Sequence, residues 1–216
     1  MNANANNNNN NNRIRNTVLR AVFIGDTEVG KTSLLNSYFD VQFNELIFQT
    51  YGLDKYDKNI IIEDKTYKII IWDTPGRERF RNQIRFSFRN SKIIFLVFDM
   101  TKKKSFLELD RFLEYIQEYS DNINKFTFVL IGNKEDLSDQ WQIREKDAKK
   151  FAEIIHAKFF LSSAKTAPDK FKKFLDDFFE DYITKHKEEL EQAQANQRQR
   201  VINNNNNRIR RRNTCY

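Results

Sequence analysis

Apolar positions along this chain fall into short continuous runs separated by amphipathic stretches of helical period. Thr17 to Ile24 reads as a buried strand, and Lys31 to Phe39 as a helix turning Leu34, Leu35 and Tyr38 inward. Leu53 to Ile62 and Tyr67 to Trp72 read as two strands joined by a tight turn at Glu63-Asp64-Lys65, so the pair should be antiparallel. Lys92 to Asp99 is a near-continuous β-branched and aromatic run, the pattern of a strand covered on both faces. A helix follows from Lys104 to Tyr119 with Phe106, Leu109, Leu113 and Ile116 at helical spacing, then a central strand from Phe126 to Ile131. Next come a helix near Arg144 to His156, a short strand from Lys158 to Leu161, and a long helix opened by Pro168-Asp169. That last helix carries Phe171, Phe174, Leu175, Phe178, Phe179, Tyr182 and Ile183 on one face, a stripe that reads as core. Strands alternating with helices predict an α/β fold: a doubly wound, mostly parallel six-stranded sheet with helices on both faces and ligands at the carboxyl ends of the strands.

Composition sets the limits of that domain. Residues 1 to 12 are almost wholly Asn and residues 203 to 207 wholly so, and such tracts cannot offset the entropy of ordering. The expected organisation is a disordered Asn-rich leader over 1–16, one domain over 17–190, and a disordered basic tail over 191–216. The formal charge of +7 belongs to the ends, since six Arg lie in the tail from Ala193 onward and Arg13 and Arg15 precede the first strand. The patterned part is close to neutral, which argues against a nucleic-acid partner, for which a basic stripe on the folded body is the usual signature. One cysteine, Cys215, excludes an internal disulfide framework and suits a reducing compartment. The longest apolar run, Ile93 to Phe98, is far short of the roughly 18 residues a membrane span needs, and no signal peptide is visible. The chain is expected to be intracellular and soluble unless its tail is modified, and to act as a monomer.

Candidate chemistry lies between the first strand and the first helix. Gly25-Asp26-Thr27-Glu28-Val29-Gly30-Lys31-Thr32 is a full G-x-x-x-x-G-K-[ST] pattern. Its glycines let successive backbone N–H groups face an anion, and the helix starting near Gly30 adds the positive end of its dipole. Lys31 would reach the β- and γ-phosphates and the Thr32 hydroxyl would sit on Mg²⁺, which makes this a phosphate-binding loop of the P-loop NTPase kind. The bland alternative is an ordinary strand-to-helix turn. Further motifs fall at the other carboxyl ends: Asp73-Thr74-Pro75-Gly76, where an acid can order a Mg²⁺-bound water and a glycine can offer its N–H to a terminal phosphate; Gly132-Asn133-Lys134-Glu135-Asp136; and Ser162-Ser163-Ala164-Lys165. Asp136 could accept two hydrogen bonds at once from guanine N1–H and the N2 amino group, a donor pair that adenine lacks.

This set of loops resembles the Ras superfamily of small GTPases, and the flanking residues look like its Rab branch. Phe98-Asp99-Met100-Thr101, Lys68 to Trp72 and Arg77-Glu78-Arg79-Phe80-Arg81 are similar to Rab stretches, and the resemblance covers about residues 17 to 190. It implies that GTP or GDP is held with Mg²⁺. Lys31 and the amides of Glu28, Val29, Gly30, Lys31, Thr32 and Ser33 would hold the phosphates, with Gly25, Asp26 and Thr27 in the same loop. Thr32, Thr50 and Asp73 would serve the metal, Thr50 lying in the first-switch stretch Gln49-Thr50-Tyr51-Gly52. Phe43 would pack over the guanine, unless it is a plain core residue. Asn133, Lys134 and Asp136 would bind the base, with Ser163, Ala164 and Lys165 closing round it. Gly76, Lys31 and Arg77 are the residues placed at the chemistry. The implied partners are effectors, an exchange factor, a GTPase-activating protein and a prenyl-dependent chaperone. The implied setting is vesicle traffic on the cytoplasmic face of endomembranes with a cytosolic pool, the second switch pointing to the Golgi-linked group.

The chain departs from the family pattern in four places. Glu28 stands where relatives usually have a small residue, so if the position needs positive φ it is strained and nucleotide retention should be weakened. Tyr51-Gly52-Leu53-Asp54-Lys55 replaces the usual Ile-Gly-Val-Asp-Phe, which makes the effector surface divergent. Cys215-Tyr216 fits neither a double-cysteine ending nor a C-a-a-X box. Cys215 is therefore open to prenylation or to remaining a free thiol, while Arg208 and Arg210 to Arg212 would attract anionic lipid in either case. Arg77 stands where small GTPases carry a Gln. A guanidinium has donors and no acceptor, so slow hydrolysis is expected. An arginine-finger role for Arg77, and a bystander role with another group ordering the water, stay open. A GTP-locked interaction scaffold is the alternative function, and a P-loop ATPase or nucleotide kinase is disfavoured by Asn133-Lys134-x-Asp136.

Overall fold

The computed structural model describes residues 17–46, 49–76 and 81–196, together with 199 and 203, and for 81–83 the backbone alone. Arg77, the residues up to Asn16, the arginines of the tail and Cys215 lie outside the described residues.

Six strands form one sheet in the order β2-β3-β1-β4-β5-β6. They are β1 (Thr17–Ile24), β2 (Asp54–Ile62), β3 (Lys65–Asp73), β4 (Ile93–Asp99), β5 (Thr127–Asn133) and β6 (Lys158–Leu161). Every neighbouring pair is parallel except β2 with β3. In that hairpin Ile62 pairs with Lys65, and Glu63 and Asp64 both have positive φ, at 47° and 62°. The turn is thus the two-residue form that follows the strand twist, one residue tighter than the sequence suggested, with Lys65 already in the strand.

The helices are α1 (Lys31–Tyr38), α2 (Arg81–Arg89), α3 (Lys103–Tyr119), α4 (Glu145–Ile154) and α5 (Pro168–Lys185). Alternation along the buried strands divides the core in two. Leu19, Ala21, Phe23, Phe95 and Val97 face α1 and α5, whose Leu34, Leu35 and phenylalanine stripe complete one layer. Val22, Ile24, Ile94, Leu96 and Phe98 face α2, α3 and α4 through Ile84, Phe88, Leu109, Ile116 and Ala148. Each fully buried Phe or Leu contributes on the order of 1.5–3 kcal/mol of transfer free energy, so these two layers dominate the stability. Phe160 and Phe174 stack with centroids 3.8 Å apart, and Phe23 and Phe95 at 4.6 Å.

Two features differ from the sequence reading. Helix α2 was not expected, because its only buried apolar positions are Ile84 and Phe88 and the rest is polar apart from an exposed Phe86. Residues 187–196 are helical, where a disordered tail from 191 was expected, because Leu190 is buried in the α1–α5 layer and Glu191 pairs with Lys65 at 2.7 Å. Among the described residues no helix is long and apolar enough to cross a membrane.

Candidate functional site

Strand β1 delivers the chain to the carboxyl edge of the sheet, and residues 25–30 turn it over that edge into α1. Two of them are left-handed: Glu28 at φ 61° and Gly30 at φ 93°. Gly30 needs its glycine twice, for that φ and because a Cβ there would lie 2.3 Å from Asn133 Nδ2. Glu28 adopts the same region with a side chain, at a cost of about 1–2 kcal/mol. Its mostly exposed carboxylate ion-pairs with Lys102 Nζ at 2.9 Å.

Lys31, the first residue of α1, is enclosed under this loop and donates from Nζ to the carbonyls of Gly25 at 2.8 Å and Asp26 at 2.7 Å. Burial lowers its pKa to about 8, while the Asp73 and Asp26 carboxylates pull it back up. Beside it, Thr32 Oγ1 donates to Asp73 Oδ2 and lies 2.9 Å from Thr50 Oγ1. Asp73 ends β3 fully buried, and burial raises its pKa against the opposing charge of Lys31. Its Oδ1 is buried without a hydrogen-bond partner. Two hydroxyls and an unsatisfied carboxylate oxygen form a hard-oxygen set that fits Mg²⁺. No group of three His, Cys, Asp or Glu side chains able to hold a metal occurs among the described residues, so such an ion would complete its shell with phosphate oxygens and water.

The segment after β3 folds straight onto the loop. Thr74 Oγ1 donates to Phe23 O at 2.7 Å, and a Cβ on Gly76 would lie 2.3 Å from Thr27 N and 2.4 Å from the Asp26 carbonyl carbon. From the other side, Gln49 Nε2 donates to Thr27 Oγ1 at 2.8 Å.

The ends of β5 and β6 build the opposite wall. Asn133 is 2% exposed and donates from Nδ2 to Val29 O at 2.8 Å, while its Oδ1 is buried and unpartnered. Lys134 is left-handed, with φ 66°, and its Nζ meets the buried Asp99 carboxylate at 2.6 Å. Ser163 Oγ accepts from the N–H groups of Lys165 and Thr166 at 3.2 and 3.0 Å, which shapes the turn that presents Ala164 and Lys165. Lys165 closes the mouth through an ion pair with Glu45 at 2.6 Å.

A cavity of about 430 Å³ joins these walls. Thr27, Glu28, Gly30, Lys31, Thr32, Ser33, Phe43, Thr50 and Gly76 line it together with Asn133, Lys134, Asp136, Ser163, Ala164 and Lys165. Phe43 also packs against the core, so the two readings of it are compatible. Gly25, Asp26, Val29 and Asp73 are not on the wall, Asp73 being fully buried behind Thr32. Gly25 is pressed against β4, where a Cβ would meet Val97 O at 2.1 Å, Asp26 caps Thr27 N at 2.6 Å, and Val29 is core. The sequence reading assigned no role to Gln49, Glu45, Lys102 or Asp99. Their partners lie 22, 120, 74 and 35 positions away, and no local pattern marks such contacts.

Comparison with known proteins agrees with this arrangement. The Ras family model matches residues 20–188. The chain is 37% identical over 150 residues to the Ras-related protein Rab-2B of Dictyostelium discoideum, covering 69% of this chain and 73% of that protein. It is also 37% identical over 150 residues to the Ras-related protein RABA4b of Arabidopsis thaliana, covering 69% of this chain and 66% of the relative. The chain is a small GTPase of the Ras superfamily, of Rab type. In this GTPase the loop before α1, the Thr32 and Thr50 hydroxyls, and the Asn133-to-Asp136 wall border one cavity, with Asp73 buried behind Thr32.

Proposed function

We propose that this protein is a guanine-nucleotide switch that binds GTP and GDP with Mg²⁺ and hydrolyses GTP slowly. The observation that carries this reading is the pairing of two half-satisfied ends in one cavity. At one end the Thr32 and Thr50 hydroxyls line it, with Asp73 Oδ1 buried without a partner behind Thr32; at the other, Asn133 Oδ1 is unpartnered near the exposed carboxylate of Asp136. Lys31 would hold the β- and γ-phosphates, Thr32 and Thr50 the metal, and Asn133, Lys134 and Asp136 the base. The bound ion supplies charge neutralisation at the phosphates. A γ-phosphate would draw Thr50 and Gly76 inward and order both switch segments, and its loss would release them.

Effectors, an exchange factor and a GTPase-activating protein would read that difference during vesicle traffic on endomembranes. The basic tail would attract anionic lipid, helped by a lipid on Cys215 if one is attached. Arg77, at the position of the usual Gln, supports slow hydrolysis and favours a GTP-locked scaffold as the second reading. Chromatography of nucleotide released from purified protein decides: GDP supports the switch, retained GTP the scaffold, and adenine nucleotide overturns both. Arg77→Gln should then speed single-turnover hydrolysis of preloaded GTP by roughly ten- to a hundredfold. A rate no faster than that of the parent protein sinks the impaired-hydrolysis reading.

A further inference from the structure

We propose that Gln49 is a catalytic residue of this GTPase: its carboxamide, oriented by the Thr27 hydroxyl, positions the water that attacks the terminal phosphate. The proposal rests on the guanine-nucleotide reading above and names the group that the slow hydrolysis uses.

Three segments meet at this side chain. Gln49 directly precedes Thr50, whose hydroxyl lies 2.9 Å from that of Thr32 at the metal end of the cavity. Gln49 Nε2 donates to Thr27 Oγ1 at 2.8 Å, across 22 residues of chain. Thr27 is in turn the residue against which the Gly76 backbone packs, within 2.3 Å of where a Cβ would be. Gln49, Thr27 and Gly76 all line the cavity, so the carboxamide is held where the phosphate loop, the first switch and the segment after β3 converge.

The chemistry of the group suits that place. A carboxamide has both a donor and an acceptor, whereas a guanidinium has no acceptor. With Nε2 engaged by Thr27, Oε1 remains to accept a proton of the attacking water and hold its oxygen toward phosphorus. In the step, the water oxygen forms a bond to the γ-phosphorus and the bond from that phosphorus to the bridging oxygen breaks. GDP leaves with the electron pair, and the water's protons end on the inorganic phosphate. Gln49 neither gains nor loses a proton.

The test uses the full chain with Gln49→Ala, Gln49→Asn and Thr27→Ala, preloaded with GTP. Single-turnover hydrolysis should fall by about ten- to a hundredfold in Gln49→Ala, with smaller losses in the other two. GDP release by the two Gln49 variants should stay within about twofold of the parent, because Gln49 is assigned no contact with bound GDP. A second readout does not depend on turnover: capture of aluminium fluoride by the GDP-bound protein, which mimics the transferring phosphoryl group, should weaken in Gln49→Ala. Unchanged hydrolysis overturns the proposal, and so does a loss matched by equally faster GDP release, which would make the contact a mere latch on the first switch. Failure of the parent protein to bind guanine nucleotide at all overturns the underlying reading, and it appears in the binding measurement before any rate is taken.

Discussion

The two ends of the sheet treat polar groups in opposite ways. At the carboxyl end Lys31, Asp73 and Asn133 are almost wholly enclosed, and Asp73 and Asn133 each keep a buried oxygen without a partner. At the amino end, helical residues 187–196 are fastened by exposed ion pairs, Glu191 with Lys65 at 2.7 Å, Glu189 with Lys92 at 2.6 Å and Lys187 with Glu63, and by a half-buried hydrogen bond from Thr17 to Gln194 at 2.8 Å. Exposed pairs contribute little each and are complete in themselves. Buried oxygens without partners carry a desolvation cost that a bound cation or base donor relieves. The amino end therefore holds the fold together, while the carboxyl end keeps buried oxygens unsatisfied.

Substitutions at the two ends should separate binding from stability. The largest effect is expected from Asp136→Ala, which removes both acceptors proposed for guanine. Charge-assisted bonds worth about 1.5–3 kcal/mol each make a loss of GDP affinity of roughly a hundredfold or more, with the thermal midpoint of the ligand-free protein unchanged. Titration calorimetry with GDP measures it, and equal losses in affinity and stability would erase the contrast between the ends.

Leu190→Ala should do the reverse. It opens space in the α1–α5 layer and is expected to cost about 2 kcal/mol in denaturant unfolding while GDP affinity holds.

Glu28→Gly acts within the carboxyl end alone, because the φ of 61° costs a non-glycine residue about 1–2 kcal/mol. Relief of that strain should slow GDP release by roughly five- to thirtyfold, followed with a fluorescent nucleotide; release no slower than in the parent removes the strain argument. Lys102→Ala should speed release in the parent and have no effect in Glu28→Gly, since the ion pair is then gone.

The smallest effect belongs to the exposed pairs. The Lys65 and Lys92 partners hold the Glu191 and Glu189 carboxyls below their ordinary value. Groups with a lowered folded pKa stabilise above the unfolded value, and the contribution is lost as pH falls through the folded one. Hydrogen-exchange protection of residues 187–196, relative to the intrinsic rate at each pH, should therefore fall below about pH 4.5 and, at neutral pH, in Glu191→Gln, with the carboxyl end unmoved.

Much of this molecule can be read along the chain because its signals are local. A continuous apolar run such as Ile93 to Phe98 has only one comfortable state, a strand covered on both faces, and the stripe from Phe171 to Ile183 has only one face to bury. The phosphate loop is likewise a local device, since its glycines, lysine and threonine act within one turn of chain. Helix α2 escaped because two buried residues, Ile84 and Phe88, make too short a stripe to announce a period. The extension past residue 190 escaped for a different reason: a single leucine among polar residues is held there by partners on β3 and the preceding hairpin, which no window on the tail contains.

The chain alone carried the order of the six strands, four of the five helices and the glycine-lysine-threonine loop between β1 and α1. The tertiary structure alone decided which of them meet. It brought Thr32, Thr50 and Asp73 together, set Asn133 against Gly30, and laid Gln49 on Thr27. The physical reason is that propensity and periodicity act over a few residues, whereas these contacts exist only after the sheet has registered β1 between β3 and β4 and carried distant loops to one edge.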